Sequence, residues 1–341
     1  MSASCSAAGK TDWRGEFCLA GARGPTKARK FLYCHPVAPN AGLFMSVKFA
    51  LRTPSSGSIE LPNQGVFMPG RNGQAVILVH GLTGTPNEMR FLAWFLNTHG
   101  YTVSCPRLAN HGQPLHILKS THWEEFYASV RVAYEDLRAE HEQIFVAGLS
   151  MGALLALLLA DEFQAGVAGV SCLSPTLFYD GWNVPWYHFL LPLGSRTPLK
   201  DYLYFKEEPP YGLKNERIRE KVHEYYQQAD IHELRDVDKY GYPYFPVRLL
   251  GELRRLVGHL QQRLPFVHCP CQIIQARQDD MSSVRNAQFV YDRVASSRKE
   301  IVYLENSYHV ITADQERAKV AQSMLDFFSP ALSHAYAAAA Q

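Results

Sequence analysis

The chain has 341 residues, 47% hydrophobic and 19% charged, which supplies a sizeable core and excludes a disordered chain. Its 34 basic and 32 acidic residues leave a net charge of +2, so no overall field marks nucleic acid or an anionic membrane as the main partner. A small molecule is the default partner, and the longest apolar run, residues 151–160, is about half the ~20 residues a spanning helix needs, so no stable membrane insertion is expected.

The first forty residues carry six basic side chains (Lys10, Arg14, Arg23, Lys27, Arg29, Lys30) against Asp12 and Glu16. They contain no apolar stretch of the ~7 to 15 residues that a secretion signal needs, which predicts a cytoplasmic location. Residues 1–65 read as a partly loose N-terminal extension, and the stretch up to about Gly73 holds short apolar pieces at 43–49 and 66–68 suited to an edge strand or two. The seven cysteines (Cys5, Cys18, Cys34, Cys105, Cys172, Cys269, Cys271) are odd in number and scattered. They read as reduced thiols rather than a disulfide framework or a zinc site. Cys269 and Cys271 share one face at a strand entry and suit core packing.

Residues 75–79 (AVILV) are continuously apolar and largely β-branched, as in a parallel strand buried on both faces. Thr85-Pro86-Asn87-Glu88 then predicts a capping box opening a helix, which Gly100 ends. Residues 101–105 read as a strand. Trp123, Phe126, Tyr127, Val130, Tyr134 and Leu137 recur at helical spacing and give one apolar face. Strand 143–147, an all-round apolar helix at 151–163 and strand 166–173 follow. This alternation predicts a mostly parallel sheet with helices on both faces.

Between 176 and 268 the alternation breaks into a stretch dense in aromatics and prolines, with helical patterns at 216–226 and 247–260. It reads as an inserted cap over the carboxyl edge of the sheet. The core, 66–175, resumes over 269–330 with strand 272–276, helix 283–295 and strand 301–304. A helix opened by a second capping box, Thr312-Ala313-Asp314-Gln315, follows, with Val320, Met324 and Phe327 on its apolar face. Residues 331–341 read as a frayed tail.

Gly148-Leu149-Ser150-Met151-Gly152 matches G-x-S-x-G at a strand-to-helix junction, where so sharp a turn leaves no room for Cβ atoms beside the nucleophile. A serine hydroxyl needs a base, and His309 follows the last strand at the same sheet edge. The imidazole needs an acid to hold its tautomer. Asp279 and Asp280, both just past strand 272–276, are the candidates, and the order Ser, Asp, His is that of α/β-hydrolases. Two amide donors must face the developing oxyanion. Met151 N–H, at a helix N-terminus, is one, and Leu82 N–H in His80-Gly81-Leu82-Thr83-Gly84, after the first apolar strand, is the other. His80 and His111 read as loop-shaping residues, since no His, Asp or Glu pair shows a metal-helix spacing. No metal and no organic cofactor is expected. Arg248, Arg254, Arg255 and Arg263 read as a solvated helix face, with contact to a lipid interface as the functional alternative.

Together these segments resemble the carboxylesterase and monoacylglycerol-lipase branch of the α/β-hydrolase superfamily, over about residues 67–328. His80-Gly81-Leu82-Thr83-Gly84 is similar to that branch's oxyanion loop, and Asn110-His111-Gly112-Gln113 to its His-Gly segment. Gly148-Leu149-Ser150-Met151-Gly152 is similar to its nucleophile elbow and Ser307-Tyr308-His309-Val310-Ile311-Thr312 to its histidine loop. Gln275-Ala276-Arg277-Gln278-Asp279-Asp280-Met281 resembles its acid loop, where the first of two acidic residues is the triad member, which implies Asp279.

The resemblance implies an α/β-hydrolase fold with a lid and a serine hydrolase that cleaves carboxylic esters through an acyl-enzyme on Ser150. The expected substrate is a small ester with an apolar acyl chain, and a lipid interface is a second candidate partner. A thioesterase or acyltransferase would use the same triad. A catalytically silent ligand-binding protein of this fold is the alternative of another class.

Overall fold

The computed structural model describes residues 59–61, 65–185, 188–189, 191–231, 234 and 236–329. The expected extension up to residue 58, with its apolar piece at 43–49, and the tail at 331–341 lie outside the described residues.

An eight-stranded sheet forms the centre of the fold. It begins with β1 (Ile59–Leu61) and β2 (Gly65–Met68), which pair antiparallel with each other, β2 also pairing antiparallel with β4 (Thr102–Pro106). The other strands are parallel: β3 (Gln74–Val79), β5 (Gln143–Leu149), β6 (Gly169–Leu173), β9 (Cys271–Ala276) and β10 (Lys299–Leu304) join β4 through the ladders β4-β3-β5-β6-β9-β10. Every residue of β3 and β9 is buried, which is why β3 carries an unbroken apolar run from Ala75 to Val79, whereas β9 buries Gln272 and Gln275 by bonding them to Ser171, Glu300 and Asp279.

Two apolar layers cover the sheet. On one face α2 (Trp123–Arg138), α3 (Met151–Phe163), α5 (Val247–Arg263) and α6 (Val284–Arg293) contribute Phe126, Val130, Leu154, Leu157, Leu253, Leu256 and Val290. On the other, α1 (Arg90–Thr98) and α7 (Arg317–Phe328) contribute Leu92, Leu96, Val320, Met324 and Phe328. Each such leucine, taken from water, contributes about 1.5–3 kcal/mol. Helix α3 is apolar all round because it is enclosed by β3, β5, β6 and α5. The segment between β6 and β9 holds α4 (Glu216–Gln228), a two-stranded antiparallel ladder of β7 (Tyr204–Lys206) and β8 (Tyr244–Pro246), which flank α4 in the chain, and α5. Tyr211, Leu213, Val222 and Tyr226 form a separate small apolar cluster within it. No helix among the described residues is long and apolar enough to cross a membrane. Cys105, Cys172, Cys269 and Cys271 are free and buried.

Neither expected capping box forms. Pro86–Met89 is a single 3-10 turn ahead of α1, and the Thr85 side chain caps nothing. Its hydroxyl donates to the Asp238 carbonyl at 3.0 Å, while Glu88 accepts the Gly81 N–H at 3.1 Å. Helix α7 begins only at Arg317: Thr312 Oγ1 is buried and caps no N–H, and the neighbouring Asp314 carboxylate accepts the N–H groups of Lys214, Asn215 and Tyr308 at 2.9, 2.8 and 2.7 Å. Glu88, the expected partner in the first box, thus meets a backbone donor outside its own turn whose satisfaction outweighs a local cap.

Candidate active site

The junction of β5 and α3 places Ser150 at φ 56° and ψ −116°, a conformation that side-chain-bearing residues rarely adopt and that persists only where packing enforces it. The enforcement is steric. A Cβ on Gly148 would lie 2.1 Å from the backbone of Gly152, and one on Gly152 would lie 2.2 Å from the Val79 carbonyl oxygen. Both glycines let strand, turn and helix touch backbone to backbone. The Ser150 N–H donates to the Leu173 carbonyl at 2.9 Å, which ties the turn to β6. The hydroxyl of Ser150 is 3.1 Å from Thr176 Oγ1.

Past β9, Asp279 is buried at 3% exposure. Its Oδ1 accepts the N–H groups of Met281 and Ser282 at 2.9 and 2.8 Å, and its Oδ2 accepts Gln275 Nε2 at 2.8 Å. His309, after β10, brings Nδ1 to 3.0 and 2.9 Å from the two Asp279 oxygens. A carboxylate only accepts, so Nδ1 carries the proton and donates, leaving Nε2 as the basic nitrogen. Asp280 does something else: it accepts the backbone N–H of Gly212 at 3.0 Å and of His309 at 3.2 Å, fixing the histidine loop rather than the ring. Burial alone would lower the His309 pKa, but the charge and hydrogen bond of Asp279, with Asp280 and Glu207 beyond, outweigh it and hold the imidazole above 6.5.

The loop after β3 runs beside the elbow, with Gly81 against Ser150: a Cβ on Gly81 would be 3.7 Å from Ser150 Cβ. His80 accepts the Leu108 N–H at Nε2 (3.3 Å) and donates from Nδ1 to the Gly81 carbonyl (2.9 Å). His111 Nε2 donates to the Leu82 carbonyl at 2.9 Å. Burial keeps both rings neutral, pushing His111 down to about 4. These histidines orient the loop's carbonyls, and neither the Leu82 nor the Met151 N–H is spent on a backbone partner among the described residues. The insert grips the same loop from outside: Tyr242 N–H donates to Thr83 at 2.8 Å and Asn87 Nδ2 to Lys239 at 2.9 Å.

The structure therefore brings Ser150, Asp279, His309, Leu82 and Met151 to one sheet edge. Sequence reasoning missed Thr176, Glu88 and Glu207. Thr176 offered only the signal of a hydroxyl just past a parallel strand at this edge. Glu207, which lies in the insert, is pushed up to about 8 by burial and by its neighbours Asp280 and Glu88.

Residues 70–316 match the family model described as serine aminopeptidase S33, Hydrolase_4. The chain is 32% identical over 254 residues to a thermostable monoacylglycerol lipase of Bacillus sp. (strain H-257), covering 74% of this chain and 90% of that one. It is 28% identical over 255 residues to a carboxylesterase of Bacillus subtilis (strain 168), covering 74% and 92%. Among solved structures, one from a study of the metagenome-derived lipolytic enzymes LipS and LipT is 27% identical with a TM-score of 0.65, over 79% of this chain and 99% of that one. The monoacylglycerol lipase of Paleococcus ferrophilus shares the fold, at 17% identity and a TM-score of 0.63 over 78% and 97%. Matched from before β3 to the start of α7, the chain belongs to the Hydrolase_4 (serine aminopeptidase S33) family, in the carboxylesterase and monoacylglycerol-lipase branch of the α/β-hydrolases.

Proposed function

We propose that this carboxylic ester hydrolase works through an acyl-enzyme on Ser150. His309 Nε2 takes the hydroxyl proton as Ser150 Oγ attacks the ester carbonyl, and Asp279 holds the Nδ1–H tautomer and stabilises the imidazolium that forms. The Leu82 and Met151 N–H groups receive the oxyanion, the second with the added potential of the α3 N-terminus. His309 then passes the proton to the leaving alcohol, and water, deprotonated by the same nitrogen, releases the acid. The Ser150 hydroxyl turns from Thr176 to His309 at the start of the cycle.

The observation that carries this reading is the buried His309–Asp279 pair at 2.9 Å at the same sheet edge as a serine held at positive φ. The relatives named a monoacylglycerol lipase and a carboxylesterase support an ester with an apolar acyl chain as substrate, monoacylglycerols included. Trp182, Phe189, Tyr202 and Leu203, exposed on the insert, support contact with a lipid surface that presents it.

The test is hydrolysis of p-nitrophenyl esters from two to sixteen acyl carbons by the protein and by Ser150→Ala. Turnover by the first and not by the second supports the reading, and the optimum sizes the acyl site. Silence of both across the series rejects ester hydrolysis at Ser150 and brings thioester cleavage and acyl transfer forward.

A further inference from the structure

Glu88 is the acidic side chain whose expected helix-capping role fails. Its Oε2 accepts the Gly81 N–H at 3.1 Å, one residue before the N–H assigned to the oxyanion. The same carboxyl lies flat against Gly84, where a Cβ would come within 2.1 Å of Oε2 and 2.2 Å of Oε1. A Cβ on Gly81 would touch Glu88 Oε2 at 3.6 Å and Ser150 Cβ at 3.7 Å, so the carboxyl, the loop and the nucleophile meet at one point. Within the loop itself, Gly84 N–H reaches the Gly81 carbonyl at 3.3 Å, and the carbonyls of Gly81, Leu82 and Thr83 are met by His80, His111 and Tyr242, so among the described residues Glu88 is the side chain that takes an N–H of the loop.

We infer that Glu88 is a positioning residue for the oxyanion hole: by accepting the Gly81 N–H and filling the space beside Gly84, it fixes the direction of the Leu82 N–H. The inference rests on the proposed acyl-enzyme chemistry at Ser150 and assigns Glu88 no contact with substrate. Burial raises the Glu88 carboxyl to about 7, with the Gly81 N–H and His309 opposing the rise. Glu207 and Tyr226 of the insert are the other titratable groups coupled to it. A neutral acceptor therefore suits the position, and Glu88→Gln keeps a carbonyl oxygen aimed at Gly81 while removing the charge.

The experiment compares the full chain with E88Q, E88A and G84A in p-nitrophenyl ester kinetics at one pH. Labelling of Ser150 by a fluorophosphonate and affinity for a trifluoromethyl ketone, which places an oxyanion in the hole, are measured alongside. E88A is expected to lose roughly 10- to 100-fold in kcat with KM within about 3-fold, and to bind the ketone more weakly by a similar factor, since ~1 Å of misplacement costs about that much. E88Q is expected to stay within about 3-fold of the parent. G84A, whose methyl group displaces the carboxyl without deleting it, is expected to fall with E88A and serves if E88A does not fold. E88A or G84A with parental kcat, E88Q as slow as E88A, or a loss confined to KM each overturns the inference. Parental protein that neither labels at Ser150 nor turns over esters overturns the underlying chemistry instead, a result distinct from any of these.

Discussion

Gly152→Ala tests the backbone contact on which the site is built. The added Cβ would sit 2.2 Å from the Val79 carbonyl oxygen and 2.7 Å from that of His80. An ordinary contact begins near 3.4 Å, so β3 and α3 must part by about 1.2 Å, and neither neighbour is a side chain that can swing away. Overpacking of this kind costs about 1–3 kcal/mol, and backbone on both sides puts it near the top, lowering Tm by roughly 4–5 °C in a protein of this size. The catalytic cost is separable. Met151 leads into α3 and Leu82 follows β3, so parting the two elements parts the two N–H donors, and kcat should fall by about 100-fold or more. Ester kinetics and thermal melts measure both, with Gly258→Ala as control, since a Cβ there meets nothing within 4 Å on helix α5. A Gly152→Ala protein with parental kcat and Tm would refute the close approach of α3 to β3 and the argument built on it.

Asp279→Asn should cost roughly 10³- to 10⁴-fold in kcat by removing the acceptor that fixes the His309 tautomer. Asp280→Asn, whose contacts are the backbone N–H groups of Gly212 and His309, should cost at least about tenfold less; equal losses in steady-state kinetics would reverse the assignment. Because His309 must be neutral to act as base and its pKa is held above 6.5, kcat/KM should fall as the pH is lowered through a value above 6.5 and stay level above it. A pH profile with its acid limb below 6.5 would contradict the raised value. Arg263→Ala strips Asp161, only 6% exposed, of bonds at 2.6 and 3.2 Å. It should lower stability by roughly 2 kcal/mol in urea melts with kcat unchanged, since a buried carboxylate is left without its partner.

The order of strands and helices was legible because each buried strand declares itself locally, as the run from Ala75 to Val79 does. The elbow was legible because only glycine survives at Gly148 and Gly152. Choosing Asp279 over Asp280 from the residues was not possible: adjacent aspartates differ only in which way the chain turns them, toward the His309 ring or toward its backbone. Capping failed as a guide at Thr85 and Thr312. A capping box is a local pattern, and Glu88 and Asp314 are claimed by N–H groups from other segments, Asp314 by donors about a hundred residues upstream. Thr176 and Glu207 belong to no motif, and only the folded chain brings them near Ser150 and His309.

The grip of the insert on the loop after β3 has a consequence for heat inactivation. Thr83, Thr85 and Asn87 are held by residues 238–242, about 150 positions later in the chain, while the parallel strands depend on none of these bonds. Segments of a protein open with their own free energies, and an irregular stretch tethered by a few hydrogen bonds opens before a buried sheet. Release of residues 238–242 would thus disarm the oxyanion loop with the sheet still folded, and activity is expected to be lost at a temperature below that at which the protein melts.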